Sequence, residues 1–137
     1  QGFDTVEYTA SALVDMALHA HSDPGRLDPA AFEAAELARL GMPKEIVMRH
    51  RLPHFTHLFS GAYAAGYYVY MWAEVLDADA YTAFVEAGDP FDPATAERLY
   101  RYVYSAGASL DPMEAFRAFR GREPRVEPML AERGLSA

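Results

Sequence analysis

The chain of 137 residues contains no cysteine, which excludes disulfide bonds and thiol catalysis. It also lacks an apolar run near the length of a membrane-spanning helix, although 51% of its residues are hydrophobic, so we expect no membrane partner. There is no basic excess: the formal net charge is -8 and both signs are interspersed, which argues against nucleic acid as a partner. No charged-then-apolar signal segment opens the chain. Together these features predict one soluble domain with a modest core.

Strand-like alternation bounded by hairpin turns is absent from the sequence as well, so we predict an all-α fold. Three helices are predicted to begin at an Asp N-cap followed by Pro at the first helical position. These pairs are Asp28-Pro29, Asp92-Pro93 and Asp111-Pro112. Asp4 is predicted to cap the first helix, with Glu7 completing a capping box. The whole of residues 1–137 is expected to form a single compact helical subdomain.

One long central helix, over about residues 63–87, is predicted to organise this subdomain, because it is apolar around most of its circumference. Its spacing places Tyr63, Tyr67, Tyr70 and Glu74 on one face. Buried phenols need hydrogen-bond partners, so such a row can line a polar pocket. Spacing alone favours the simpler interpretation that these tyrosines pack in the core.

The histidines His50, His54 and His57 follow the i, i+4, i+7 spacing that would bring zinc ligands together on a helix. Pro53 interrupts any such helix, and the neighbouring arginines would oppose a divalent cation. We therefore do not expect a metal site there.

Other catalytic arrangements are also weakly supported by the residues. Ser60 near His57 lacks the surroundings of a nucleophile elbow. Asp77 and Asp79 are predicted to lie on a solvated helix face rather than to form a catalytic pair. The residues by themselves thus predict no self-contained active site.

Three stretches nevertheless resemble a known family: MRHRLPHFTHLFSGAYAAGYYVYMWAEVLDADAYTAF, QGFDTVEYTASALVDMALH and DPMEAFRAFRGREPRVEPMLAERGL. They resemble the C-terminal part of the thimet oligopeptidase family of zinc metallopeptidases, and within it the bacterial peptidyl-dipeptidase and oligopeptidase A branch. The resemblance implies a mostly helical, cytoplasmic enzyme that hydrolyses oligopeptides. The AAGYY context favours the peptidyl-dipeptidase, which releases C-terminal dipeptides.

The family binds one zinc ion through an H-E-x-x-H helix and a downstream Glu, and residues 1–137 contain no H-E-x-x-H. The resemblance therefore implies a C-terminal catalytic subdomain whose partner is the remainder of the same polypeptide. Zinc is expected in that full-length parent and not in this chain. The start at Gln1, without an initiator Met, agrees with a fragment.

Residue roles also follow from the resemblance. His57 and Tyr63 match catalytic residues, and Tyr63 would donate to the oxyanion. Tyr70, with His54 and Tyr67, is assigned to substrate binding, although Tyr67 also fits packing, as do Tyr68 and Trp72. Gly61 joins the substrate-binding set because Ser60-Gly61-Ala62 stands where the family has a glycine-rich loop, from which Ala62 departs.

A second interpretation stays open. The chain could be an independent helical module that binds a peptide or protein through its tyrosines without catalysis.

Overall fold

Seven α-helices form most of the chain in the computed structural model, which describes residues 1–135. They are α1 Gly2–His19, α2 Pro29–Arg39, α3 Thr56–Ser60, α4 Val69–Ala87, α5 Pro93–Leu99, α6 Pro112–Arg120 and α7 Glu127–Glu132. Short 3-10 turns occupy Pro24–Arg26, Leu52–His54 and Gly107–Ser109, and a π-turn occupies Tyr100–Tyr104. Residues 1–135 contain no strand, and the all-α prediction is confirmed. No helix within this range is long and apolar enough to cross a membrane.

The three Asp-Pro helix starts form as predicted. The Asp28 carboxylate accepts a hydrogen bond from the Ala31 N–H at 2.7 Å, and Asp92 accepts from the Thr95 N–H at 2.6 Å. Asp111 caps α6 in the same way, accepting from the N–H groups of residues 113 and 114. The predicted cap at Asp4 is wrong, because α1 already begins at Gly2 and Asp4 lies in its first turn.

The central helix is shorter than predicted. It begins at Val69 rather than near residue 63, and residues 62–68 form consecutive turns. Ala65 has a positive φ of 54°, which an α-helix does not allow. The turns are closed by hydrogen bonds from the Gly66 N–H to the Tyr63 carbonyl and from the Val69 N–H to the Gly66 carbonyl. Tyr63 and Tyr67 thus precede the helix, and Tyr70 lies in its first turn.

The chain divides into two compact units, Gln1–Tyr70 and Met71–Ala137, which we describe separately. The expectation of one subdomain over residues 1–137 stays a prediction. In the first unit, the core forms where α1 and α2 pack with the segment that leads into α3. Its buried residues are Ala12, Val14, Met48, Leu52, Phe55, Leu58 and Tyr67.

The second unit contains a buried charge that we did not predict. Asp79 on α4 is fully buried, whereas Asp77 is exposed, so the predicted solvated face is wrong for Asp79. Its carboxylate accepts two hydrogen bonds from Arg122 at 2.6 Å and one from the Arg125 N–H at 2.7 Å. Glu74, predicted to share a face with the tyrosines, forms an ion pair with Arg133 in this unit.

Candidate functional site

Four of the predicted site residues meet in one aromatic cluster within the first unit. The Tyr63 and Tyr70 rings stack with centroids 5.2 Å apart and planes 19° apart. Tyr67 meets the Tyr70 ring edge-on at 5.5 Å. The His57 ring lies 6.2 Å from that of Tyr63 and 5.5 Å from that of Tyr67. The structure therefore brings His57, Tyr63, Tyr67 and Tyr70 together even though Tyr63 and Tyr67 are not helical.

Three further rings, those of Tyr8, Phe55 and His50, join this aromatic cluster, and none of them was predicted to be a site residue. Tyr8 on α1 stacks on Tyr67 at 5.1 Å and meets the edge of Tyr70 at 6.4 Å. Its hydroxyl donates a hydrogen bond to the backbone carbonyl of Tyr67. Phe55 packs against Tyr67 at 4.7 Å, and His50 lies 5.2 Å from Phe55. Tyr8 is 59 residues from Tyr67, so no local spacing could reveal the contact.

The tyrosines of the cluster differ in how much of each side chain is exposed to solvent. Tyr67 is only 5% exposed, and this burial raises the pKa of its phenol. Tyr70 is 44% exposed, so it is the ring of the cluster most open to a ligand. A hydrogen bond between the Tyr63 and Tyr70 hydroxyls raises the pKa of Tyr70 to about 12. Tyr70 therefore stays a neutral donor over the whole physiological range, and Tyr67 is placed to pack beneath exposed Tyr70 and half-buried Tyr63.

His57, on α3, carries a buried polar atom with unused hydrogen-bonding capacity. The ring is half-buried, and its Nδ1 atom has no hydrogen-bond partner among the described residues. Its neighbours are aromatic: the His50 and Phe55 rings lie 5.2 and 5.9 Å away. Buried side-chain nitrogens are rarely left unsatisfied, so a ligand atom at this position would be stabilised by the imidazole.

The remaining two predicted residues lie outside this ring cluster. His54 is exposed in the turn Leu52–His54 and makes no ring contact within residues 1–135. Gly61 is exposed and extended after α3, with φ -138°. A Cβ atom there would meet the His57 carbonyl oxygen at 3.6 Å, an ordinary contact, so packing does not require glycine at this position.

A buried carboxylate holds the turn that carries two of the tyrosines. Asp15 on α1 is fully buried. Its Oδ1 atom accepts from the Ala65 N–H at 3.0 Å, and its Oδ2 atom accepts from the Tyr67 N–H at 2.9 Å. The Tyr67 N–H, which a helix beginning at Tyr63 would bond to the Tyr63 carbonyl, is bonded to Asp15 instead, and the positive φ of Ala65 also interrupts such a helix, so α4 starts later. The sequence offered no signal for this role, since Asp15 is 50 residues from Ala65.

The residues present do not provide a zinc site of the kind that the family resemblance implies. The sequence has no H-E-x-x-H, and residues 1–135 contain no group of three His, Asp or Glu side chains placed to hold a metal ion. His50 and His57 lie near each other, but they pack against aromatic rings.

Comparison with known proteins agrees with the family resemblance. The sequence pattern of peptidase family M3 matches residues 1–135. The chain is 40% identical to oligopeptidase A of Escherichia coli over 90% of its own length and 18% of that protein. It is 37% identical to dipeptidyl carboxypeptidase of Salmonella typhimurium, over 98% of its length and 20% of that protein. A probable cytosolic oligopeptidase A of Arabidopsis thaliana is 38% identical over 92% of the chain and 18% of that protein.

The chain thus spans about a fifth of the length of these relatives. The match nevertheless extends over nearly all of the described residues, including every ring of the aromatic cluster. The chain belongs to peptidase family M3.

Proposed function

We propose that this chain forms the C-terminal, substrate-facing part of a zinc peptidase that hydrolyses oligopeptides. Family membership supports a peptidase, and the greater length of the relatives supports a metal-bearing region supplied by the rest of the polypeptide. The name of the dipeptidyl carboxypeptidase relative supports release of C-terminal dipeptides, and that of the cytosolic relative supports a cytoplasmic location. The observation that carries the proposal is the stacked pair of Tyr63 and Tyr70, which packs against the buried ring of Tyr67.

In this proposal Tyr63 stabilises the reaction's developing charge. Hydrolysis of an amide passes through a tetrahedral species whose former carbonyl oxygen is negative, and a fixed donor aimed at that oxygen lowers the barrier by roughly 3–4 kcal/mol. A phenol suits this role because it donates without bringing a charge into the ground state. Tyr63 and Tyr70 stack with their ring centroids 5.2 Å apart, so both hydroxyls can reach the same stretch of a bound peptide.

His57 and Tyr70 would hold the peptide on either side of Tyr63. The half-buried imidazole of His57 can bond a backbone group of the substrate, since an imidazole nitrogen donates or accepts according to its tautomer. Tyr70, with 44% of its surface exposed, offers a ring face and a hydroxyl to the same chain. His54 and Gly61 remain proposed substrate contacts at the exposed rim. Tyr67 would support the other rings from below.

The test is Tyr63→Phe in the active peptidase, with Tyr68→Phe as the matched control. Tyr68 is 51% exposed and is the last residue of the same turns, so its substitution removes a phenol hydroxyl nearby without opening the core. We expect Tyr63→Phe to lower kcat by roughly 10²-fold or more with little change in KM, because the bond is made only in the transition state. Tyr68→Phe should leave both constants near wild type. Equal, small effects would remove Tyr63 from the catalytic assignment.

A peptide-binding module without catalysis is the second candidate, and the open face of Tyr70 favours it, since an exposed aromatic ring binds peptides without any metal. Calorimetric measurement of the binding of a short unlabelled oligopeptide to the isolated chain distinguishes the peptidase from the binding module. Tight binding by the chain alone, with no hydrolysis by the longer polypeptide, would favour the module.

A further inference from the structure

We propose that Asp15 is a positioning residue, which fixes the turn of residues 62–68 and thereby sets the placement of the Tyr63 phenol. The inference rests on the proposed function, because Tyr63 is its point of action. Asp15 would act on Tyr63 through the backbone of this turn.

The Asp15 carboxylate accepts two hydrogen bonds from the backbone of this turn. Asp15 uses one carboxylate oxygen for the Ala65 N–H and the other for the Tyr67 N–H, at 3.0 and 2.9 Å. Hydrogen bonds to an ionised acceptor are stronger than those between neutral groups, and burial strengthens them further. Two bonds to alternate residues of one turn fix both its position and its orientation relative to α1.

His19, one turn further along α1, also contacts the Asp15 carboxylate. Its Nδ1 atom lies 2.8 Å from Oδ1 of Asp15 and 3.0 Å from the Asp15 backbone oxygen. Both oxygens are acceptors, so the proton resides on Nδ1 in this arrangement. The imidazole therefore holds the carboxylate in the orientation that the two N–H groups require.

The backbone conformation of this turn is unfavourable without the two hydrogen bonds to Asp15. Ala65 has a φ of 54°, and a non-glycine residue resists this left-handed conformation. Without the carboxylate, the freed Tyr67 N–H would be satisfied by the Tyr63 carbonyl if α4 extended toward Tyr63. That extension would rotate Tyr63 out of its stack with Tyr70.

The anchored turn connects directly to the phenols. The Tyr63 carbonyl accepts from the Gly66 N–H at 2.9 Å, and the Tyr67 carbonyl accepts from the Tyr8 hydroxyl. Tyr63 is thus tied to a segment that is bonded to α1 through Asp15 on one side and Tyr8 on the other. A shift of about 1 Å in a catalytic group can cost about 10²-fold in rate, so this attachment bears on turnover.

The first experiment is hydrogen exchange of the active peptidase, read by mass spectrometry on peptides that cover residues 61–68. In the wild type, the amides of Ala65 and Tyr67 should be protected. Asp15→Asn keeps one acceptor oxygen but turns an N–H donor toward the other backbone N–H, so exchange in this segment should rise by roughly 10- to 100-fold. Wild-type exchange at the rate of an unprotected chain would overturn the proposal even if the variant did not fold.

Glu33→Gln is the matched control for this measurement. Glu33 on α2 is 3% exposed and accepts from the Leu52 N–H at 2.8 Å, so its substitution also neutralises a buried carboxylate bonded to backbone. It should leave exchange of residues 61–68 at the wild-type rate. Equal acceleration in both variants would indicate general loosening and would refute a specific role for Asp15.

Steady-state kinetics of the same variants measure the effect of Asp15 on catalysis. Asp15→Asn should lower kcat by roughly 10- to 100-fold with KM changed less than twofold, the pattern expected when a transition-state donor is misplaced. Tyr63→Phe, measured alongside, separates the two proposals. Loss of kcat in Tyr63→Phe with none in Asp15→Asn would overturn the positioning role alone, whereas no loss in Tyr63→Phe would overturn the proposed function.

Discussion

Acid stability of the second unit should depend on Asp79. This carboxylate is fully buried and is bonded to Arg122, Arg120, Thr82 and the Arg125 N–H. Burial alone would raise the pKa of Asp79, but the hydrogen bonds and the arginine charges outweigh it and lower the pKa to about 2. Asp79→Asn keeps the shape of the side chain and removes its charge, which leaves two arginines facing a neutral amide.

The expected magnitude follows from the difference between the ordinary pKa of 3.8 and the folded value of about 2. This difference corresponds to about 2.5 kcal/mol of stability, at about 1.4 kcal/mol per tenfold change in proton affinity. Because the folded pKa is the lower one, this stability is fully present above pH 3.8 and is lost as the pH falls toward and through 2. About 1 kcal/mol of it should be gone at pH 3. At neutral pH, breaking the buried network should destabilise the variant by about 3 kcal/mol.

Urea unfolding followed by circular dichroism at pH 7 and pH 3 would measure both effects. The stability difference between wild type and Asp79→Asn should be smaller at pH 3 by about 1 kcal/mol. Asp77→Asn is the control, since Asp77 is exposed on the same helix and should change stability by less than about 0.5 kcal/mol. A stability difference that is equal at the two pH values would refute the assignment of the low pKa to Asp79.

The other predictions concern the tyrosine pair and the metal. In Tyr63→Phe, the pKa of Tyr70 should fall from about 12 toward its ordinary 10.0, because the hydroxyl partner is gone. Carbon-13 shifts of the labelled Tyr70 ring would report this, and an unchanged pKa would mean that the two phenols are not bonded in solution. The isolated chain should neither retain zinc after washing with a chelator nor hydrolyse a blocked oligopeptide, since residues 1–135 contain no group of three metal-ligating side chains. Stoichiometric zinc by atomic absorption, or release of a dipeptide, would contradict this.

Features that depend on neighbouring residues could be predicted from the sequence. The Asp-Pro starts of α2, α5 and α6 lie where predicted, because an Asp N-cap bonds N–H groups only two or three residues away. The left-handed glycines Gly88 and Gly121 follow the ends of α4 and α6 for an equally local reason, since glycine adopts positive φ at little cost. The all-α class and the M3 family followed from the same kind of information.

The candidate site was predicted only in part. The family resemblance selected His57, Tyr63, Tyr67 and Tyr70, and the structure brings their rings together, although their catalytic roles stay predictions. The helical spacing used for the tyrosines was wrong at Tyr63 and Tyr67, because Ala65 has a positive φ and the Tyr67 N–H bonds Asp15 rather than the Tyr63 carbonyl.

Sequence by itself determined the helical class, the Asp-Pro starts of α2, α5 and α6, and the family, because these depend on short-range chemistry and on a specific run of residues. Tertiary structure decided which side chains support the tyrosines and which carboxylates are buried. Asp15 and Tyr8 reach Tyr67 across 52 and 59 residues, and Arg122 reaches Asp79 across 43. An Asp on a helix looks the same in sequence whether it faces water, as Asp77 does, or a buried network, as Asp79 does. Only the packing of distant segments supplies the donors that make burial of a charge favourable.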